Sequence, residues 1–197
     1  MTITERLASA IQWELPLEKQ LANMAQFDNI TDAEIEQLFN CHKSVDVGYL
    51  LEYLGPVRLQ KYLPQFLQFL QNINWCGAYG AARMLRAAGA MAVPEVRRIF
   101  QEENDAGWND QIILNVVCFW NAEVVASLKP DLLQLIQHSD REGDATSSFK
   151  ALAEKGLLTT KEKKSLHQQL HTTYSAMQDD WGSALLADLD EVMQEVS

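Results

Sequence analysis

Leu63-Pro64-Gln65-Phe66, Val93-Pro94-Glu95-Val96 and Lys129-Pro130-Asp131-Leu132 repeat one pattern within Tyr62 to Leu158, and that pattern decides the fold. Aligned on their prolines, the three segments carry Phe66, Phe69 and Leu70, then Val96, Ile99 and Phe100, then Leu132, Leu135 and Ile136 at matching positions. Every one of these side chains is apolar. Proline is tolerated in the first turn of a helix, where its missing N–H would have no intrahelical partner, and the spacing after it lays an apolar stripe along each helix. A polar turn follows in each case: Asn72-Ile73-Asn74, Glu102 through Gly107, and Ser139 through Gly143. Second helices are then expected over Trp75 to Ala88 (Trp75, Tyr79, Ala82 and Leu85 inward), Trp108 to Trp120 (Ile112, Ile113, Val116, Val117 and Trp120) and Asp144 to Glu154 (Phe149, Leu152 and Ala153). Gly89 and Gly156 close the first and third of these at the place where a left-handed residue caps a helix. Successive prolines stand 30 and then 36 residues apart, an interval at which helical pairs bury their faces against neighbouring pairs.

The flanks also read as helical. Thr4 to Trp13 places Leu7, Ala8 and Ile11 at helical spacing, and Pro16 can open the next element, Leu17 to Phe27, with Leu17, Leu21, Met24 and Phe27 on one face. Thr31-Asp32-Ala33-Glu34 is a capping box that opens a helix to about Cys41, with Ile35, Leu38 and Phe39 inward. Val45 to Leu54 is a further helix, stopped by Gly55-Pro56. Beyond the repeats, Thr159-Thr160-Lys161-Glu162 is a second capping box, and Asp179-Asp180 precede an amphipathic Trp181 to Val196. The expected fold is all-α: one domain over 1–197, a right-handed stack of antiparallel helical hairpins forming an α-solenoid. A helical cap at 1–61, three hairpins at 62–158 and a closing hairpin at 159–197 make it up.

The proline-led first helix, polar turn and apolar second helix resemble HEAT-like repeats. Arg83 takes the place of the arginine that such repeats carry in their second helix, and the second and third repeats have none there. The Asn-Ile-Asn-Trp and Asp-Ala-Gly-Trp turns more specifically resemble a small bacterial HEAT-like family of unknown function with immunity-protein members. The resemblance implies a cytoplasmic protein that binds a secreted antibacterial toxin.

Composition narrows the function classes. The chain carries 27 acids against 16 bases, a formal charge of −11, and such a surface repels phosphate backbones. Nucleic acid is therefore not an expected partner; basic proteins are the natural counterparts of such a surface, although charge alone is accounted for first by solubility. No window approaches the roughly 18 apolar residues of a membrane span, and the N-terminus lacks a basic segment followed by an apolar one, so the cytosol is the expected compartment. Cys41, Cys76 and Cys118 are too scattered for a disulfide framework and lie in apolar runs, which reads as buried reduced thiols.

Residues that would carry catalysis do not converge on any motif. There is no Gly-rich phosphate loop, nucleophile elbow or Cys-x-x-Cys. His167 and His171 are four apart on one helix and could share a metal ion, yet His-Gln-Gln-Leu-His supplies no third ligand. No catalytic, cofactor-binding or metal-ligating residue is expected, and the protein is expected not to be an enzyme.

Acids collect in the repeat turns instead. In a stack in register, Glu102, Glu103 and Asp105 sit beside Asp140, Glu142 and Asp144, with Asp110 one turn into the second helix and only Arg141 opposing. Asp144 and Asp105 suit helix N-termini, where the macrodipole favours negative charge. Glu102 and Glu103 end the preceding helix, where it does not, so local capping leaves them unexplained. Trp75 and Trp108 are expected to pack between hairpins. Trp181, beside two aspartates, is expected to be exposed as an anchor for a basic partner. The expected role is that of a protein-binding module, an immunity protein meeting a basic toxin domain as a monomer through Glu102, Glu103, Asp105, Asp110, Asp140, Glu142, Asp144 and Trp181. A general scaffold or adaptor is the alternative, with an enzyme or nucleic-acid binder third.

Overall fold

The computed structural model describes residues 2–12, 14–41, 44–103, 105–138 and 143–195, the side chain of the last excepted. Thirteen α-helices and no strand occur among them. None of these helices is long and apolar enough to cross a membrane. Contacts gather into two compact units, Met1–Met91 and Ala92–Ser197.

The first unit holds α1 (Ile3–Ala10), α2 (Leu17–Met24), α3 (Asp32–Leu38), α4 (Val45–Arg58), α5 (Leu63–Leu67) and α6 (Ala78–Ala88). Capping boxes open α1 and α3: the hydroxyls of Thr2 and Thr31 accept from the Glu5 and Glu34 amides, and each glutamate reaches back to its threonine's N–H. The box at Thr2 has the same Thr-x-x-Glu signature as the one at Thr31. Gly55 breaks α4 at φ 70°, ψ 168°, a backbone state open only to glycine, and Pro56 begins the last turn. Leu17 and Leu21, read on one face with Met24 and Phe27, are 66% and 52% exposed. They line an apolar groove with Ile11, Met24, Tyr49 and Tyr53 instead of filling the core.

Two glycines set how α4 and α6 pack. A Cβ built on Gly80 would lie 2.2 Å from Gly48 Cα and 2.5 Å from the Gly48 carbonyl oxygen, so the two backbones touch directly. Arg83 on α6 bonds Glu52 on α4 at 2.5 Å, one turn further along both helices, and the two therefore run side by side in the same direction. α6 buries Ala78, Gly80, Ala81, Ala82 and Ala88 together with the larger Met84 and Leu85, and Tyr79, read with Trp75, Ala82 and Leu85 in the sequence pattern, points outward, 53% exposed. Trp75 precedes α6 and is half-buried. Asn72 explains the late start: its side chain accepts from the Asn74 amide at 3.0 Å and its carbonyl from Trp75, making a turn that the helix must clear.

The second unit holds α7 (Val93–Glu102), α8 (Ala106–Asn115), α9 (Ala122–Ser127), α10 (Lys129–Gln137), α11 (Asp144–Glu154), α12 (Thr160–Ser175) and α13 (Asp180–Glu195). Here α7 packs on α10, α8 on α11, α10 against α11, and α12 pairs with α13. Proline stands in the first turn of α7 and α10, as it does in α5. Eight of the nine repeat-matched apolar residues are buried in their units; Leu135 is half-buried. The helix expected to run to Trp120 ends at Asn115, although Val116, Val117 and Trp120 are buried as expected. Asn121 then caps α9 by accepting from the Val124 amide at 3.0 Å. This six-residue helix accounts for the longer interval before the third proline. Asp131, 6% exposed, accepts from Arg97 at 3.1 Å and Gln101 at 2.7 Å and so ties α10 to α7.

Gly80→Ala should destabilise the protein by about 1–3 kcal/mol despite alanine's higher helix propensity, because its methyl meets backbone that cannot move aside. A methyl on Gly48 would stand 3.2 Å from Gly80 Cα, so Gly48→Ala should cost less. Urea unfolding of both variants gives the ranking, and the reverse order would remove the backbone contact from the account.

Acid stability offers a second check. Glu162 is held below its ordinary value of 4.5, first by the Thr159 backbone amide and then by the Thr159 hydroxyl, and Glu34 likewise by Thr31. A depressed carboxylate contributes stability that is complete above the unfolded-chain value and is lost as pH falls through the folded value. Glu162→Gln keeps the reach to Thr159 but does not titrate. Its denaturation midpoint should fall less steeply than wild type below about pH 5, and parallel curves would count against the cap as a source of acid sensitivity.

Candidate functional site

The expected acidic residues divide between two clefts of the second unit. The smaller, about 240 Å³, is lined by Glu102, Glu103, Asp105, Asp144, Asn109 and His138 among others. The larger, about 330 Å³, holds Asp110 and Trp181 together with Ser147, Lys150, Asp188 and Glu191. Asp140 and Glu142 lie outside the described residues.

Within the smaller cleft each carboxylate has a definite origin. Asp105 is the N-cap of α8 and accepts from the Trp108 amide at 2.8 Å. Asp144 begins α11 and is buried, 5% exposed. Glu102 and Glu103 owe their place to Arg98, which bonds Glu102 at 3.1 Å and stands 3.6 Å from Glu103, while also reaching Glu95 at 3.1 Å. The i,i+4 spacing that makes this possible was present in the sequence, so a local ion-pair cluster supplies the explanation that capping could not. One guanidinium faces three carboxylates, and among the described residues the cleft keeps an excess of negative charge.

In the larger cleft, Ser147 on α11 donates to Asp110 Oδ1 on α8, which fixes that carboxylate at the wall. Thr146 shares a 2.9 Å bond with the buried Tyr174 hydroxyl, linking the floor to α12. α13 closes the other side. Trp181, Leu185, Asp188 and Val192 follow one another at i,i+3 and i,i+4 spacing along the side of α13 that lines the cleft, Leu185 and Val192 buried and Trp181 48% exposed, with Glu191 beside them. Lys150 lines the same cleft and pairs with Glu154 at 3.6 Å. Sequence reasoning singled out Trp181 and Asp110 separately. It missed Asp188 and Glu191, which share a side of α13 by their i,i+3 spacing but gain a partner surface only when α13 packs on α11.

The remaining chemistry-bearing residues fall elsewhere. His167 Nε2 stands 3.3 Å from Asp190 Oδ1 on α13, and His171 Nδ1 stands 3.3 Å from Ser175 Oγ, so the histidine pair serves helix contacts. Among the described residues, no group of three or more His, Cys, Asp or Glu could hold a metal ion. Cys76, expected to be buried, is exposed, because it belongs to the turn ahead of α6 and not to the helix. Burial pushes the Cys118 thiol up to about 12, which leaves it unreactive.

The two clefts thus belong to an all-helical protein with proline-led repeats and acidic recesses. The chain is a member of the family described as a domain of unknown function, DUF5071, which matches residues 42–157. No curated protein and no solved structure matches it. The matched segment runs from just before α4 to the end of α11. It contains the smaller cleft whole, whereas Trp181, Asp188 and Glu191 lie outside it.

Arg98→Ala should lower stability by less than about 1 kcal/mol at low ionic strength, since a guanidinium this exposed is screened by solvent. The loss should disappear in about 1 M salt, where the Debye length is near 3 Å. A salt-independent loss would mean that Arg98 acts through packing and not through Glu95, Glu102 and Glu103.

Proposed function

We propose that this is a non-enzymatic protein-binding module, most concretely a cytoplasmic immunity protein that neutralises a cognate antibacterial toxin by covering it with an acidic surface. The observation that carries this proposal is the larger cleft, where an indole 48% exposed stands beside Asp110, Asp188 and Glu191. An arginine or lysine of a basic partner would lay its aliphatic stem on Trp181 and its charge among the carboxylates. Complementary charge of this kind accelerates encounter and selects the partner, while the buried aromatic supplies most of the affinity.

A HEAT-like hairpin stack suits that role and is supported by the spacing of the bonds that join helices. Arg83 to Glu52 spans 31 residues, Gln101 to Asp131 spans 30, and Lys129 to the Leu157 carbonyl and Thr146 to Tyr174 each span 28. Bonds at nearly one repeat length are what stacked helical pairs produce. The alternative, a scaffold or adaptor, draws on the apolar groove of the first unit, whose exposed Leu17, Leu21 and Tyr49 offer a separate surface of different chemistry.

Co-expression with a candidate toxin domain provides the test, and the immunity role expects one to be encoded in the open reading frame immediately upstream. The wild-type protein should restore growth and co-purify as one tight complex. Trp181→Ala should weaken that complex by tenfold or more with an unchanged melting temperature. Continued killing without a complex sinks the immunity role, and several weak partners in place of one would favour the adaptor.

A further inference from the structure

Asn109 sits on α8 with 4% of its surface exposed, yet its side-chain Oδ1 has no hydrogen-bond partner. A buried acceptor left in this state costs roughly 1–3 kcal/mol, and folded proteins leave few of them unexplained. Asn109 lines the smaller cleft, where the other polar walls are also acceptors: Glu102, Glu103, Asp105 and the buried Asp144. Among the described residues, two of the donors nearby are committed, and the Gln134 side chain also lines the recess. His138 Nδ1 lies 2.9 Å from the Gln134 carbonyl, and the Gln101 amide is bound to Asp131. A recess with several acceptors, excess negative charge and a partnerless buried amide oxygen is chemically complementary to a cation with many N–H donors.

From this we infer that the smaller cleft is a guanidinium-binding site, taking the side chain of an arginine with Asn109 Oδ1 as the innermost acceptor and Asp144, Asp105, Glu102 and Glu103 around it. Size and chemistry favour this ligand. A recess of about 240 Å³ falls below the range of about 300–1,000 Å³ typical of small-molecule pockets and suits one side-chain head group. A guanidinium presents five N–H donors in a planar fork and is only weakly hydrated, so it can serve a buried amide oxygen and flanking carboxylates together. An ammonium offers three donors from a single point and gives up more hydration on entry. The provision of that arginine by a protein partner rests on the proposed binding role; recognition of guanidinium by the cleft does not.

The experiment is a titration of the full-length protein with L-arginine amide, followed by ¹⁵N NMR at the Asn109 side-chain NH₂ and the Asp105 to Asn109 backbone amides. Saturable shifts at those positions are expected, weakening as salt is raised. L-lysine amide should bind at least severalfold more weakly. Asn109→Leu, which replaces the buried amide with an apolar group of similar size, should weaken arginine amide about tenfold while circular dichroism stays unchanged. Glu103→Gln, an exposed substitution, should weaken it by a smaller factor and serves as the readout if Asn109→Leu does not fold. Absence of saturation, equal affinity for lysine amide, or undiminished binding by the folded variants would overturn the assignment. Such a failure leaves the Trp181 cleft and its toxin test intact, while saturable arginine binding beside a failed toxin test would retain the site and remove the immunity role.

Discussion

Gly48 and Gly80 impose the tightest constraint on the first unit. Helices ordinarily pack with axes 8–10 Å apart, their side chains interleaved as ridges and grooves. Here the two glycines bring backbone onto backbone, and one turn further along Arg83 of α6 reaches Glu52 of α4 across the same seam. α4 answers with Val47, Leu50 and Leu51, all buried. Such a contact has little tolerance, because no rotamer change can relieve a clash between main chains. A glycine in mid-helix costs about 1 kcal/mol of helix propensity, and the close contact of two helices offsets that cost only if both positions remain glycine.

That seam also shows where the sequence was legible and where it was not. Stripes at helical spacing located nearly every helix, and the proline alignment found eight side chains that are buried in their units. Threonine and glutamate three residues apart marked the openings of α3 and α12. What escaped was whatever depends on which neighbour a face meets. Tyr79 looks inward by periodicity, and Leu17 and Leu21 lie on the same apparent stripe as Met24, but periodicity records only that residues share a face. Whether that face is covered depends on the path of other helices. Asn115 to Asn121 was misread for a local reason: the apolar run Val116 to Trp120 continues a helical pattern, while Val116 itself adopts φ −131°, ψ −61° and ends the helix.

Legibility of the site was uneven for the same cause. The acids of the repeat turns were visible as a cluster, and Asp105 is a helix cap as expected. Glu102 and Glu103 stand at the end of a helix where its dipole disfavours negative charge. Arg98 resolves that: one base within a turn of three acids outweighs a dipole term of a few tenths of a kcal/mol. Their excess is thereby reduced, not removed. Asn109 carried no sequence signal at all, since an asparagine in a helix next to a tryptophan is unremarkable until its burial and its lack of a partner are both known.

The two clefts differ in what holds them. The smaller is built by α7, α8, α10 and the start of α11, all within the segment that defines the family, and its walls are capping residues and ion pairs that the helices require in any case. The larger needs α13, which lies beyond that segment and contributes the indole and two of the carboxylates. A recess made from structural residues changes only with the fold, and the larger cleft is tied to the packing of α13, because Trp181 and Asp188 share a side of that helix with the buried Leu185 and Val192. Under the proposed binding role, the smaller cleft would offer a cationic contact that does not depend on α13, and the larger cleft one that does.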